Sequence, residues 1–84
     1  MTMARRERRI ERLRRSQTDV SPEQLRAALE SVGFELVNIV GSHWHYRHPA
    51  RPGLVSVPFR RPIKRTYVRE ALEAIDEVMN DGDG

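Results

Sequence analysis

The chain has 84 residues and a formal net charge of +3, which allows one small domain near the lower size limit for a self-sufficient hydrophobic core. It contains no cysteine, which excludes a disulfide framework and thiolate metal sites and is typical of a reducing cytoplasm. Because no apolar run approaches the length of a membrane span and the N-terminus lacks a signal-peptide core, we expect a soluble cytoplasmic protein without membrane partners.

Charge is segregated along the chain. Residues 1–16 carry a net charge of +5, and residues 36–69 carry +7 with seven cations and no acidic residue. Residues 17–35 and 70–84 are acidic, with net charges of −3 and −6. An acid-free basic segment is what a polyanion-binding surface needs, because each neutralised phosphate releases counterions. The alternative interpretation is an ordinary solvated charged face.

The N-terminal segment consists of good helix formers. Residues 4–16 predict an exposed basic helix on which Ile10 and Leu13 form a narrow apolar stripe. Because so little apolar surface is available to anchor it, we expect this helix to be partly frayed. Residues 16–20 are interpreted as a linker.

A capping box predicts a second helix of about three turns. Ser21 takes the N-cap position, Pro22 the first helical position and Gln24 the third. Gly33 follows where a left-handed C-cap is expected. The apolar positions between them, at helical spacing, are Leu25, Ala28, Leu29 and Val32.

Three strands are predicted next. The first covers residues 34–40, the second lies in the stretch from Gly41 to Pro49, and the third covers residues 54–59. Residues 49–53 form a turn of Pro and Gly type, and Pro58 indicates an edge position or a strand end. The residues expected on one face of the third strand are Val55, Val57 and Phe59.

A final helix is predicted to begin near Thr66. Its apolar face comprises Val68, Ala71, Leu72, Ile75 and Val78 or Met79. The order of elements predicts an α+β fold in which two helices cover one face of a three-stranded antiparallel sheet and leave the other face open. We divide the chain into a basic helix and linker (1–20), a domain (21–79) and a flexible acidic tail (80–84).

The stretch from Gly41 to Pro49 holds all three histidines and the only tryptophan. Because strand side chains alternate, we predict that His43, His45 and Arg47 share the open face. His48, before a proline, is assigned to the turn or to packing. The side chains expected in the core are Trp44 and Tyr46, with Phe34, Val57 and Leu72, and this orientation argues against RNA stacking by the first two.

The open face carries a row of proton-active and cationic groups, which indicates a site on the sheet surface with groups that phosphodiester cleavage would use. Metal-free RNA cleavage needs a base for the ribose 2′-hydroxyl, an acid for the leaving oxygen and cations for the phosphoryl charge. Histidine serves as base or acid near neutral pH. We assign His43 as general base and His45, or a cation, as acid. On a strand the Cα atoms of His43 and His45 are about 6.5–7 Å apart, a distance that allows the two side chains to bracket a phosphate. The predicted RNA contacts are Ser42, Arg47, Arg60, Arg61, Lys64 and Arg65.

Other interpretations of these residues remain. A histidine on a strand is often a hydrogen-bonded structural residue, and Arg60 and Arg61 fit a solvated strand end equally well. A Zn²⁺ site has two ligands in His43 and His45 and no evident third. The absence of carboxylates from residues 36–69 leaves little for an acidic metal-cluster nuclease, so no metal or cofactor is predicted.

Four short elements follow one another along the chain: Gly33-Phe34-Glu35-Leu36, Gly41-Ser42-His43, Tyr46-Arg47-His48-Pro49 and Val57-Pro58-Phe59. Together with the final helix they resemble the HicA family of toxin–antitoxin mRNA interferases over about residues 21–79. The resemblance implies a fold similar to double-stranded-RNA-binding domains, ribonuclease activity on translated mRNA and neutralisation by a HicB antitoxin in a hetero-oligomer. The histidine of the family's Gly-Ser-His element maps onto His43, whereas residues 1–16 receive no role.

The leading hypothesis is therefore a metal-independent endoribonuclease toxin of a type II system, acting through His43. The first alternative is a non-catalytic RNA-binding module of the same fold that holds A-form RNA by shape and phosphate contacts. A third is a subunit that serves mainly to bind a partner. Because a surface that attracts phosphates also attracts carboxylates, we expect an acidic antitoxin to cover the histidine face.

Overall fold

A computed structural model describes residues 5–81, apart from the side chains of Arg6 and Asp81. The described strands form one antiparallel sheet in the order β1-β2-β3. This confirms the predicted α+β class and is consistent with the fold of double-stranded-RNA-binding domains. The elements are α1 (Arg5–Arg15), α2 (Pro22–Ser31), β1 (Glu35–Val40), β2 (His43–His48), β3 (Arg51–Pro58) and α3 (Arg65–Asp81).

The ends of the chain differ from the prediction where they are described. The proposed helix start at residue 4 and residues 82–84 of the proposed tail lie outside the described residues. Asn80 and Asp81, which were assigned to the tail, belong to α3. The boundaries of the three proposed segments stay a prediction. In the part of the chain that is described, no helix is both long and apolar enough to cross a membrane.

Local chemistry sets both ends of α2. The Gln24 backbone N–H donates to the Ser21 hydroxyl oxygen at 3.1 Å, and the Ser21 N–H donates to Gln24 Oε1 at 2.9 Å, which is the predicted capping box. Gly33 ends the helix with φ +101°, a conformation that glycine adopts without steric cost. A Cβ atom at Gly33 would also lie 2.9 Å from Nε2 of His48. Two constraints therefore require glycine at this position.

Replacing Gly33 by alanine is expected to lower the free energy of unfolding by about 2–4 kcal/mol, the sum of the strained φ and the displaced His48 ring. Gly41 provides a matched control, since it also has a positive φ, +61°, but a Cβ there would meet nothing within 4 Å. Urea unfolding of the two variants checks this. Equal losses for Gly33→Ala and Gly41→Ala would show that the contact with His48 is immaterial.

The core lies between the sheet and the helices, as predicted. Tyr46 is 3% exposed, and burial raises the pKa of its phenol. Trp44 is only half-buried, although it packs against the core from the same face of β2. The buried residues of α3 are Val68, Ala71, Leu72, Ala74, Ile75 and Val78, which include the predicted apolar face.

α1 is anchored more firmly than its sequence indicated. Ile10 and Leu13 are 2% and 5% exposed and belong to the same core as α2 and α3. On α1, Arg14 also forms a two-pronged ion pair with Asp76 of α3, and the Nη1–Oδ2 distance is 3.2 Å. The expectation of an exposed helix is therefore wrong for this side of α1, because its two large apolar side chains reach the domain core.

The segment between α1 and α2 is also attached to the domain. Val20 is 3% exposed, and its carbonyl accepts a hydrogen bond of 2.8 Å from the Ile63 N–H. These two residues form an isolated antiparallel bridge. The linker therefore ends in a fixed, buried residue.

Replacing Leu13 by alanine is expected to reduce the free energy of unfolding by about 2–4 kcal/mol, because a buried leucine leaves a cavity. The control is Arg8→Ala, on the exposed side of the same helix, with an expected change within about 0.5 kcal/mol. Both values come from urea unfolding. A negligible loss for Leu13→Ala would mean that α1 does not contribute to the cooperative unit.

The hairpin between β2 and β3 is tighter than predicted. Only Pro49 and Ala50 separate the strands, and β3 already begins at Arg51. The register shifts here, since Tyr46 pairs with Val55 whereas His48 pairs with Arg51, which leaves two extra residues in β3. An edge strand tolerates such a bulge and the proline within it, because an edge position needs no N–H donor.

Candidate active site

The open face of the sheet carries the alternate residues of β2. His43 pairs with Val40 and Pro58 on the neighbouring strands, and His45 pairs with Asn38 and Ser56. Arg47 pairs with Glu35 of β1. His43 and Arg47 are exposed and His45 is half-buried. The alternation along β2 is thus the one that its sequence predicts.

His43, the first residue of β2, lies in an open cleft. The cleft has a volume of about 250 Å³ and combines the turn before β2, the end of β3, the segment that follows it and the first turn of α3. The Phe59 N–H donates to the Ser42 carbonyl at 2.6 Å, which ties two of these segments together. The lining residues are Ser42, His43, Pro58, Phe59, Arg60, Lys64 and Tyr67.

Four of the predicted site residues therefore meet in one place. Arg60 and Lys64 bring two cations to the cleft of His43, and Ser42 adds a hydroxyl group. Lys64 directly precedes α3, so the positive end of the helix dipole lies beside it. The arrangement suits a ligand with negative charge next to a group that exchanges protons.

His45 is held elsewhere on the sheet. Its Nδ1 lies 2.6 Å from Oγ of Ser56, its cross-strand partner, and the residue does not line the cleft. A hydrogen bond between neighbouring strands is a structural use of this nitrogen. Catalysis by His45 stays a prediction, and the geometry gives it less support than it gives His43.

The other predicted RNA contacts also lie apart from the cleft. Arg61 forms an ion pair with Glu23 of α2. Arg47 follows His43 by four residues on β2, which places it about 13 Å away along the strand. Arg65 is exposed at the start of α3 but is not among the lining residues. Their roles in RNA binding stay predictions.

The sequence interpretation missed two aromatic residues in the cleft. Tyr67 lies three residues after Lys64, and its N–H donates to the Lys64 carbonyl at 3.0 Å, so both belong to the same helical turn. Phe59 was predicted to share a face of the third strand with Val55 and Val57, yet it is 39% exposed and stacks on Trp44 with ring centroids 4.7 Å apart. The spacing from Lys64 to Tyr67 was the available signal for the first of them.

His48 is a structural residue, in agreement with its prediction. Its Nδ1 accepts a hydrogen bond of 3.0 Å from the Ala50 N–H, so Nε2 carries the proton and donates to the Val32 carbonyl at 2.9 Å. The ring also meets Phe34 edge-on, with centroids 5.0 Å apart. Both nitrogens are occupied in joining the β2–β3 hairpin to the end of α2.

Among the side chains that the structure describes, no group of three or more His, Asp or Glu is arranged to hold a metal ion. The cleft itself is lined by one histidine, two cationic residues, one serine, one proline and two aromatic residues.

Comparison with known proteins gives one family. Residues 22–76 match the family described as the HicA toxin of bacterial toxin–antitoxin systems. Searches of curated proteins and of solved structures gave no match. The matched range covers more than half of the 84 residues, includes His43 and the rest of the cleft, and excludes α1. The chain therefore belongs to the HicA family of toxins from bacterial toxin–antitoxin systems.

Proposed function

We propose that this toxin belongs to a type II system and is a metal-independent endoribonuclease that cleaves mRNA in the cytoplasm and thereby inhibits translation. His43 acts as the general base. The observation that carries the proposal is the position of the exposed His43 side chain in an open cleft beside Arg60 and Lys64. RNA cleavage by the adjacent 2′-hydroxyl requires a base, an acid for the leaving oxygen and a cation for the phosphoryl charge, and these three residues can fill the three roles.

The chemical step can be followed atom by atom. His43 takes the proton of the ribose 2′-hydroxyl, and the 2′-oxygen forms a bond to phosphorus while the bond to the 5′-oxygen breaks. The products are a 2′,3′-cyclic phosphate and a 5′-hydroxyl group, whose proton comes from an acid. Of the two cations in the cleft, only Lys64 can give up a proton, because an arginine side chain stays charged in proteins. Lys64 is therefore the preferred acid, and Arg60 stabilises the phosphoryl charge.

The aromatic residues of the cleft support binding of single-stranded RNA. Phe59 and Tyr67 flank the same cleft as His43. Unstacked nucleobases bind to aromatic faces in this way, and each stacked base contributes about 1–3 kcal/mol. Ser42 offers a hydroxyl group to a phosphate or sugar oxygen. These contacts would position the scissile phosphate between His43 and the cations.

Membership of the family implies an antitoxin partner, and we propose a HicB-type protein that forms a hetero-oligomer with this chain and covers the cleft. Carboxylates of the partner would compete with RNA phosphates for Arg60 and Lys64. A structure of the complex, or protection of His43 from chemical modification on binding, tests this. A complex in which the His43 ring stays fully accessible would contradict it.

Incubating the purified chain with a labelled mRNA tests the enzymatic proposal directly. We expect cleavage in buffer that contains EDTA, with 2′,3′-cyclic phosphate and 5′-hydroxyl ends on the fragments. Cleavage that stops in EDTA and returns with added Mg²⁺ would overturn the metal-independent mechanism. A chain that binds the RNA and never cuts it would instead be a non-catalytic RNA-binding module.

A further inference from the structure

An arginine stripe runs along the outer side of α1. The stripe consists of Arg5, Arg8, Arg12 and Arg15, whose spacing of three, four and three residues places them on one helical face. All four are exposed, and none forms an ion pair with any side chain that the structure describes. At the rise of an α-helix the stripe is about 15 Å long.

The opposite side of α1 fixes the direction in which the stripe points. Ile10 and Leu13 are buried in the core, and Arg14 is paired with Asp76. Glu11 lies 3.6 Å from Arg14, which is the ion pair that its carboxylate forms among the described side chains, although its helical position also borders Arg8 and Arg15. The arginines of α1 whose side chains are described are therefore divided between an anchored side and an exposed side of the helix.

Such a stripe is unfavourable for the isolated protein. Like charges at spacings of three and four residues destabilise a helix, and a face that only confers solubility mixes charges of both signs. A bound polyanion removes this repulsion. Guanidinium groups suit phosphates in particular, because their planar donors bind two phosphate oxygens at once.

We propose that the arginine stripe is a second RNA-binding surface, which holds the phosphodiester backbone outside the His43 cleft. The choice of RNA rests on the proposed function. An RNA backbone needs only a row of cations, whereas a stable protein interface needs an apolar centre. The large apolar residues of α1, Ile10 and Leu13, are buried in the core, and of the stripe residues only Arg12 borders the cleft between α1 and α2. The stripe also lies outside the matched residues 22–76.

The test measures RNA affinity over a series of salt concentrations, using the full chain with His43→Ala so that binding is observed without cleavage. Replacing all four stripe residues by glutamine is expected to lower the slope of log affinity against log salt by about 3, at about 0.7 for each single-strand phosphate contact. Affinity at 50 mM salt should fall at least about tenfold. Lysine at the same four positions should retain most of the slope, because it retains the charge.

Arg14→Gln is the matched control, because it removes a cation from the anchored side of the same helix. Its slope should be unchanged. Circular dichroism verifies that each variant keeps its helices, and if the fourfold glutamine variant does not, single changes such as Arg12→Gln are each expected to lower the slope by about 0.7.

The result that would overturn the inference is an unchanged slope and affinity in the fourfold glutamine variant. Loss of antitoxin binding with unchanged RNA binding would overturn it too, since the stripe would then serve a protein. These outcomes are separable from a failure of the proposed function. A wild-type chain that binds RNA with a slope dependent on the stripe but never cuts it would refute the enzyme and support the inference.

Discussion

Replacing His43 by alanine is expected to reduce RNA cleavage by about 10²- to 10⁴-fold, because the change removes the general base. Growth arrest on expression should disappear with it. The His43 side chain is exposed on the open face, so the fold should not change. Binding of RNA should persist because Arg60 and Lys64 remain. Measurements on the purified variant check these expectations: initial rates report cleavage, RNA affinity reports binding, and thermal unfolding reports the stability of the fold.

His45→Ala is the matched control, since it lies two residues further along β2 on the same face. It removes the contact of Nδ1 with the Ser56 hydroxyl, which is expected to cost about 1 kcal/mol of stability. Cleavage should stay within about tenfold of wild type, because Lys64 is the preferred acid. If His45→Ala abolished cleavage as completely as His43→Ala, the acid would be His45. A His43→Ala variant that cleaves at the wild-type rate would refute the proposed mechanism.

The features that could be predicted are those that neighbouring residues decide. Ser21 and Gln24 satisfy each other's backbone N–H groups, so their chemistry defines the start of α2 without reference to the rest of the fold. Gly33 ends the helix because its φ of +101° excludes most other residues. The alternation along β2 likewise follows from strand geometry alone, and it correctly placed Tyr46 in the core.

The docking of α1 could not be predicted in this way. Two apolar residues in a helix sequence are too few to show that the helix packs against the domain. Whether it does depends on the apolar surface that α2 and α3 offer to Ile10 and Leu13. The ion pair from Arg14 reaches Asp76, which is 62 residues away in the sequence. The hairpin was misjudged for a related reason. Pro52 and Gly53 indicate a turn locally, yet the pairing of β3 with β2 absorbs them in a bulge.

In the cleft, too, local sequence predicts some features, whereas contacts between distant segments decide others. Strand periodicity identifies which face His43 occupies but does not show which residues lie beyond the end of the strand. The partners of His43 in the cleft come from the segment after β3 and from the first turn of α3. Arg60 and Arg61 are adjacent in sequence, yet one lines the cleft and the other pairs with Glu23. The sequence interpretation predicted RNA contacts for both arginines, because their charge alone does not distinguish the one in the cleft from the one in the ion pair.

That difference between adjacent arginines leads to the second expected result. Replacing Arg60 and Lys64 together by glutamine is expected to lower cleavage by at least about 10²- to 10³-fold, because Arg60 stabilises the charge that develops on the phosphoryl oxygens and Lys64 gives a proton to the leaving oxygen. The slope of log affinity against log salt should fall by about 1.4, at about 0.7 for each single-strand phosphate contact. Cleavage assays and salt-dependent binding measure the two effects.

Arg61→Gln controls for charge, since it removes the same cation one residue away. The side chains of Arg61 and Glu23, which form an ion pair, are 63% and 54% exposed. Solvent therefore screens the pair, and little stability depends on it. Cleavage by this variant should stay within about threefold of wild type. If Arg61→Gln lost as much activity as the variant with both Arg60 and Lys64 replaced, a diffuse positive field would explain RNA cleavage better than the cleft. If only Arg60 and Lys64 matter, the position of the two cations beside His43 is what the chemistry depends on.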